Sequence, residues 1–388
     1  VVPGLVEPGI RKDLREGGAS AWTDGILVLI LLYLFLFALK LMGASFKMLG
    51  ADFTHALFKL TSNPFAGLFV GVLATAIVQS SSLTTSITVA LVAEGSLGLA
   101  AAVPVIMGAN IGTSVTNTLV SLAHIRRRDE FRRAFAGAIV HDLFNWCTVL
   151  VFFPLELATG YLAKVSTWLR EFFVGVEPVN ALKPLDLIIK PLVQWVETVF
   201  TDVFGLPTVP AAILMAVLSL LVLFVVLGGM TRVLKKFVVG RLERVIDHYL
   251  FRYAILSYLL GMAATAVVQS SSVTTSLVVP LLGAGLLTLE QVYPYTLGAN
   301  VGTTITAFLA ALAFISTKPE AFTIALVHLL FNVHGALIFY PLRAIPIGAA
   351  RWYANLAARR TRYAVLFIVV VFFLLPLVAI ALSKLALG

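Results

Sequence analysis

Signatures of catalysis are missing from this chain. It has no P-loop, GxGxxG, HExxH, CxxC or GxSxG, so phosphate-loop, zinc-hydrolase and serine-nucleophile chemistries lack their usual residues. A single cysteine, Cys147, lies inside an apolar stretch, where one thiol cannot close an intrachain disulfide. Charge is also scarce, at 12% of residues against about 25% in soluble domains. What charge there is leans positive, with 28 Lys and Arg against 19 Asp and Glu, a net +9. Those cations do not line a groove with interleaved aromatics, which argues against a nucleic-acid partner.

Hydrocarbon takes the place of charge. Hydrophobic residues make up 60% of the chain and the mean hydropathy is +1.00. Runs such as 25–44, 209–228 and 364–382 reach the ~18–20 apolar residues that cross a bilayer. The basic residues cluster between such runs: Arg126, Arg127, Arg128, Arg132 and Arg133; then Arg232, Lys235, Lys236, Arg241, Arg244 and Arg252; then Arg343, Arg351, Arg359, Arg360 and Arg362. The positive-inside rule reads all three clusters as cytoplasmic, in a multi-pass protein of the cell's inner (plasma) membrane, surrounded by lipid. Residues 1–23 carry no apolar signal core and read as a cytoplasmic N-terminal arm.

The chain repeats itself. QSSSLTTS at 79–86 returns as QSSSVTTS at 269–276, and GANIGTSVT at 108–116 returns as GANVGTTIT at 298–306, both at an offset of 190. His141, Phe144, Asn145 and Pro154 match His328, Phe331, Asn332 and Pro341 at an offset of 187. One repeat of half a chain signifies a duplicated membrane unit, not a solenoid.

Reading along it gives a first repeat at 24–156, a connector at 157–208 with Trp168 and Trp195, a second repeat at 209–342, and a basic loop with a final span at 343–388. Within each repeat, two apolar segments too short to cross alone meet at the QSSS tract. These predict re-entrant helical hairpins at 64–98 and 254–287. The GANIG and GANVG tracts predict transmembrane helices interrupted by glycine. Three full spans separate equivalent points of the two halves, and an odd number means inverted topology. The predicted fold is therefore an all-α membrane protein of two inverted repeats.

The polar tracts suggest a site. A helix that begins at a hairpin tip offers unpaired N–H groups and a partial positive charge, with Ser81, Ser82, Thr84 and Thr85 beside it, and equally Ser271, Ser272, Thr274 and Thr275. Two such cradles face to face suit a tetrahedral oxyanion. Gln79, Ser80, Asn110, Thr113 and Thr116 in the first half, and Gln269, Ser270, Asn300, Thr303 and Thr306 in the second, offer oxygens suited to a small hard cation such as sodium. The bland alternative is that small and hydroxylated residues only let helices pack closely.

The QSSS pair, GANIGTSVTN, RRAFAGAIVHDLFNW at 132–146 and YPYTLGANVGTTITAFLAAL at 293–312 resemble the type II sodium/phosphate cotransporter family, over most of 25–385. That resemblance implies a carrier and not an enzyme. It would import phosphate with sodium as coupling ion, without a cofactor, by elevator-like movement of a hairpin-bearing domain; a homodimer is compatible with it. Phosphate is expected on Ser81, Ser82, Ser271 and Ser272, and sodium on Gln269, Ser270, Thr303 and Thr306. Asn145 and Arg128 match positions the family uses near its sodium and phosphate. Electrogenic animal members place an aspartate where Arg127 stands here, so two sodium ions per divalent phosphate, an electroneutral cycle, is expected. Proton coupling, another oxyanion, or a non-transporting phosphate sensor are the alternatives.

Asp142 has Leu329 as its repeat counterpart. An acid well inside a span costs roughly 2.5–3.5 kcal/mol on insertion scales, so it needs a partner. The reading is either sodium coupling or the fixing of His141 or a basic neighbour. His141 and His328 are expected to make helix-packing hydrogen bonds and not a metal site.

Overall fold

The computed structural model describes residues 8–61, 63–173, 183–245, 251, 253–314 and 318–385. The start of the arm (1–7), the middle of the connector (174–182) and Arg252 lie outside the described residues, as do the side chains of Lys235, Lys236, Arg241 and Arg244.

Helices account for all the regular structure among these residues. In chain order they are α1 (Pro8–Thr61), α2 (Pro64–Val78), α3 (Ser81–Ala93), α4 (Leu99–Gly112), α5 (Val115–Ser121), α6 (Arg128–Thr159), α7 (Tyr161–Phe173), α8 (Lys183–Thr198), α9 (Thr208–Val245), α10 (Ala254–Val268), α11 (Ser271–Ala284), α12 (Leu289–Leu312), α13 (Glu320–Phe339), α14 (Ala344–Arg359), α15 (Arg362–Val369) and α16 (Leu375–Leu385). Among the described residues seven spans are long and apolar enough to cross a bilayer, and three of them, Thr23–Gly50, Thr208–Met230 and Arg362–Ser383, contain the runs 25–44, 209–228 and 364–382 read from hydropathy. α2, α3, α10 and α11 are apolar but shorter, as the hairpin expectation requires.

Burial separates centre from periphery. The spans Leu99–His124 and Leu289–Leu312 each bury 78% of their most apolar window, whereas Arg362–Ser383 buries 17% and turns its apolar surface outward. Leu221, Phe224 and Val225 of the span Thr208–Met230 and Leu366 of the span Arg362–Ser383 are exposed apolar side chains, as a helix that crosses a membrane carries. α7 and α8 are short and amphipathic, with Trp168 and Trp195 exposed, as expected of helices lying at an interface.

Close packing at the centre rests on glycine. α2 lies along α4, and α10 along α12. A Cβ at Gly108 or Gly71 would run into the backbone of the partner helix, at Leu68 and Val105 respectively; at Gly298 and Gly261 it would meet the backbone of Tyr258 and Tyr295. This corrects the expected interruption in the second half and narrows it in the first. α12 runs unbroken through GANVG, and in the first half the helix only breaks step at Thr113 and Ser114, whose dihedrals stay right-handed. These glycines bring backbones together and do not unwind them, which is the packing role of small residues spaced by four in membrane helices.

Candidate functional site

Each hairpin turns on a glutamine. Gln79 (φ 55°) and Gln269 (φ 59°) are the non-glycine residues with left-handed backbone among the described residues, a conformation costing of order 1–3 kcal/mol. It stops α2 and α10. The next residue, Ser80 or Ser270, is extended and starts the second arm as its N-cap. Ser80 Oγ accepts from Leu83 N at 3.2 Å, and Ser270 Oγ from Val273 N at 3.4 Å. Ser81, Ser82, Ser271 and Ser272 therefore occupy the first turns of α3 and α11, all buried, where the helix leaves N–H groups unpaired.

Threonines staple the two arms of each hairpin. Thr75 Oγ1 donates to Thr84 Oγ1 at 3.0 Å, and Thr265 and Thr274 pair at 2.6 Å. Thr84 Oγ1 and Thr274 Oγ1 also donate to the carbonyls of Ser80 and Ser270. Their hydroxyls are thus spent inside the hairpin, unlike those of the tip serines.

The tips meet the opposite repeat, but unequally. Ser82 Oγ donates to the Gln269 carbonyl at 3.2 Å and lies 3.3 Å from Thr306 Oγ1, which donates to Gln269 Oε1 at 2.8 Å. Gln269 is buried and its Nε2 donates to the Ala266 carbonyl, so Oε1 faces Thr306. Ser272 Oγ instead donates to the Thr113 carbonyl at 3.1 Å. Gln79 is exposed, and Thr116 Oγ1 is buried without a partner. Thr306 and Gln269 are thus joined, whereas Thr116 Oγ1 has no partner among the described residues and Gln79 is exposed; Ser80 and Ser270 make the same N-cap bond in both halves. Thr113 and Thr303 donate to the carbonyls one turn earlier, of Ala109 and Ala299.

Behind the tips lies a crossed pair of amide clasps. Asn300 of α12 is held by two residues of α6: its Oδ1 pairs with His141 Nε2, and its Nδ2 donates to Asn145 Oδ1 at 2.7 Å. Asn110 of α4 is held by two residues of α13, with Asn332 Nδ2 donating to its Oδ1 at 3.1 Å and His328 Nε2 lying 3.3 Å away. Asn145 Nδ2 joins the two clasps through the Asn110 carbonyl at 2.8 Å. The matched histidines thus make interhelical hydrogen bonds.

One contact had no counterpart to reveal it. Asn117 Nδ2 donates to Thr275 Oγ1 at 2.7 Å and its Oδ1 accepts from Ser276 at 2.9 Å, tying α5 to the second hairpin. The equivalent residue is Ala307, so comparison of the halves passes it over; the polar end of GANIGTSVTN was the available signal. Arg128 stands apart from the tips. It is exposed at the start of α6, in a basic pocket of about 350 Å³ with Asp129, Arg132, Asn355, Ala358 and Arg359.

Fold and site together define a multi-spanning membrane protein whose buried centre is rich in hydroxyl and amide groups. The model of the family described as "Na+/Pi-cotransporter" matches residues 34–172 and 222–350, which take in both hairpins and both clasps. The chain belongs to that family, whose members are transporters and not enzymes. It is 36% identical to sodium-dependent phosphate transport protein 2A of Ovis aries, over 97% of this chain and 70% of that one. It is 34% identical to sodium-dependent phosphate transport protein 2B of Homo sapiens, over 98% and 69%. No solved structure matches the chain.

Proposed function

We propose that this protein is a sodium-coupled symporter that imports inorganic phosphate. The observation that carries the reading is the contact of Ser82, at the tip of the first hairpin, with the Gln269 carbonyl and Thr306 hydroxyl of the second repeat. It brings the N-terminus of α3 up to a knot of buried oxygens, so an anion and a cation would be neighbours. Divalent phosphate sits between the tips, on Ser81, Ser82, Ser271 and Ser272 and the N–H groups of α3 and α11. Sodium sits on Gln269, Ser270, Thr303 and Thr306, with Asn300 behind. Arg128, exposed away from the tips, takes no direct part in holding the transported phosphate. The halves are inverted repeats, with the N-terminus cytoplasmic, and the hairpins move as an elevator-like transport domain. With Arg127 at the position where electrogenic relatives carry an acid, two sodium ions accompany each phosphate and no net charge moves.

The test is uptake of labelled phosphate by the purified protein in liposomes under an inward sodium gradient. Expected are dependence on sodium over potassium and protons, weak competition by sulfate, no effect of membrane voltage, and loss of uptake in Ser82→Ala and Ser272→Ala. Full uptake by both variants would overturn the tip site. Uptake indifferent to sodium would overturn the coupling.

A further inference from the structure

The first and third basic clusters of the sequence, far apart in the chain, meet in the fold. Two cavities, of about 400 and about 350 Å³, lie where the start of α6, the end of the second hairpin and α14 come together, and they share Arg132 and Asn355 as walls. Arg133 and Arg351 line the first with Arg132, and Arg128 and Arg359 line the second with it. Some of these cations are engaged. Arg133 donates through Nε and Nη2 to the Gly283 carbonyl at 2.9 and 2.6 Å, capping the C-terminal end of α11. Arg351 pairs with Glu290 at 2.5 Å, and Arg132 lies 3.5 Å from Asp129. The side chains of Arg128 and Arg359, both exposed, have no ion-pair or hydrogen-bond partner among the described residues. Cations gathered around one cleft repel one another, a cost that an anion seated among them removes.

The same cleft has an apolar floor. Leu282, Leu287, Leu289 and Ala354 line the larger cavity beside its arginines, and all four are buried. α14, which forms the far wall, packs along α6 and connects the span Glu320–Phe339 to the span Arg362–Ser383. Its inner face is made of Ile347, Ala350, Ala354 and Ala357, whereas Ile345 and Trp352 on the other side are exposed, Trp352 by 68%. A short helix between two spans, with an outward tryptophan, is the pattern of a segment lying at the membrane–water boundary. The positive-inside rule reads that boundary as the cytoplasmic one. A free anion needs only the arginines; hydrocarbon beside them fits a molecule that carries its phosphate on acyl chains.

We propose that this cleft binds an anionic phospholipid of the surrounding leaflet. Its phosphodiester lies among Arg128, Arg132 and Arg359, whose planar guanidinium groups donate to phosphate oxygens in pairs, with the Asn355 amide as a further donor. The glycerol and the first methylenes of a chain rest on Leu282, Leu287 and Leu289. One wall of the cleft is the base of the second hairpin, held by Arg133, and the other is α14, so the lipid ties the hairpin to the helix that leads into the last span. The inference needs only a membrane with anionic lipid and stands whether or not the transported solute is phosphate.

Native mass spectrometry of the delipidated full chain, titrated with phosphatidylglycerol or phosphatidylcholine, tests this. Phosphatidylglycerol is expected to bind at least about tenfold tighter than phosphatidylcholine. The double variant Arg128→Gln with Arg359→Gln should lose about 25-fold in phosphatidylglycerol affinity, at about fivefold per arginine, with phosphatidylcholine unaffected. Arg126→Gln, exposed in the same cluster but lining neither cavity, should bind as the parent does. Equal affinity for the two lipids, or a parental preference in the double variant, overturns the proposal, and so does an equal loss in Arg126→Gln, which would mean a diffuse surface field. Displacement of the lipid by glycerol phosphate, the headgroup without chains, in about 100-fold excess would make the cleft a site for soluble phosphate esters and overturn the lipid assignment. A measurement on the parent alone covers misfolding of the variants: phosphatidylglycerol with a diazirine near the headgroup is photo-crosslinked and the adducts are mapped. Adducts on residues 282–289 and on α14 support the cleft; adducts confined to other parts of the chain overturn it.

Discussion

Thr306 and Thr116 are equivalent in sequence, yet the structure gives them different work, and that difference can be measured. Thr306 Oγ1 is buried and supplies a hydrogen bond to Gln269 Oε1. Thr306→Val keeps the shape and strips that bond, leaving a buried amide oxygen unsatisfied at about 1–3 kcal/mol. At tenfold per ~1.4 kcal/mol, sodium half-saturation should rise about 5- to 140-fold, since Thr306 and Gln269 both belong to the assigned seat. Thr116 Oγ1 has no partner to lose. Thr116→Val should therefore cost no more than ~0.5 kcal/mol, and removal of an unsatisfied hydroxyl can even raise thermal stability. Sodium-activation curves in proteoliposomes, with melting of the detergent-solubilised variants, decide it. Equal shifts in the two variants would refute the inequality of the halves on which the sodium assignment depends.

Two further outcomes follow from packing. Gly298→Ala places a methyl group against the Tyr258 carbonyl and should cost about 1–3 kcal/mol or prevent a monodisperse preparation, whereas Gly228→Ala, with open space around it, should be neutral or slightly stabilising; size-exclusion profiles and melting curves compare them. Asn117→Ala loses both bonds to the second hairpin, and at ~0.6 kcal/mol per interhelical bond in membranes it should lower stability by about 1 kcal/mol and weaken phosphate binding severalfold, as titration calorimetry would show.

Spans and hairpin tips were legible in the sequence because each has a strong signal: a run of hydrocarbon, or a polar tract copied 190 residues on. What escaped depended on direction and not on composition. Thr84 and Thr274 carry the hydroxyls expected to face phosphate, but helical geometry turns them back to Thr75 and Thr265. Gly108, Gly112, Gly298 and Gly302 read equally as hinges or as contact points, and only the neighbouring backbone shows them to be contacts. Their spacing of four, which also joins Gly67 to Gly71, was the better guide. Asp142 was recognisable as an anomaly from its place in a span, but that it is fully buried with no cation paired to it among the described residues is a property of three-dimensional packing.

The clasps set a limit on what can move. His141 and Asn145 of α6 hold Asn300 of α12, His328 and Asn332 of α13 hold Asn110 of α4, and Asn145 links both. Four helices from two repeats are thus joined through buried amides that lose their partners if the helices separate, so they should travel as one body whatever the hairpin tips do. A double-mutant cycle tests that body directly. Asn332→Ala and Asn110→Ala each break the same bond, so the second substitution should cost less once the first is made, with a coupling of ~0.6 to 1.7 kcal/mol in melting experiments, the range of interhelical bonds in membranes. Asn332→Ala with Gly228→Ala, which share no contact, should be additive within ~0.5 kcal/mol. Additivity in the first pair would mean that the clasp is geometry without energy, and the four helices would then be free to slide past one another during transport.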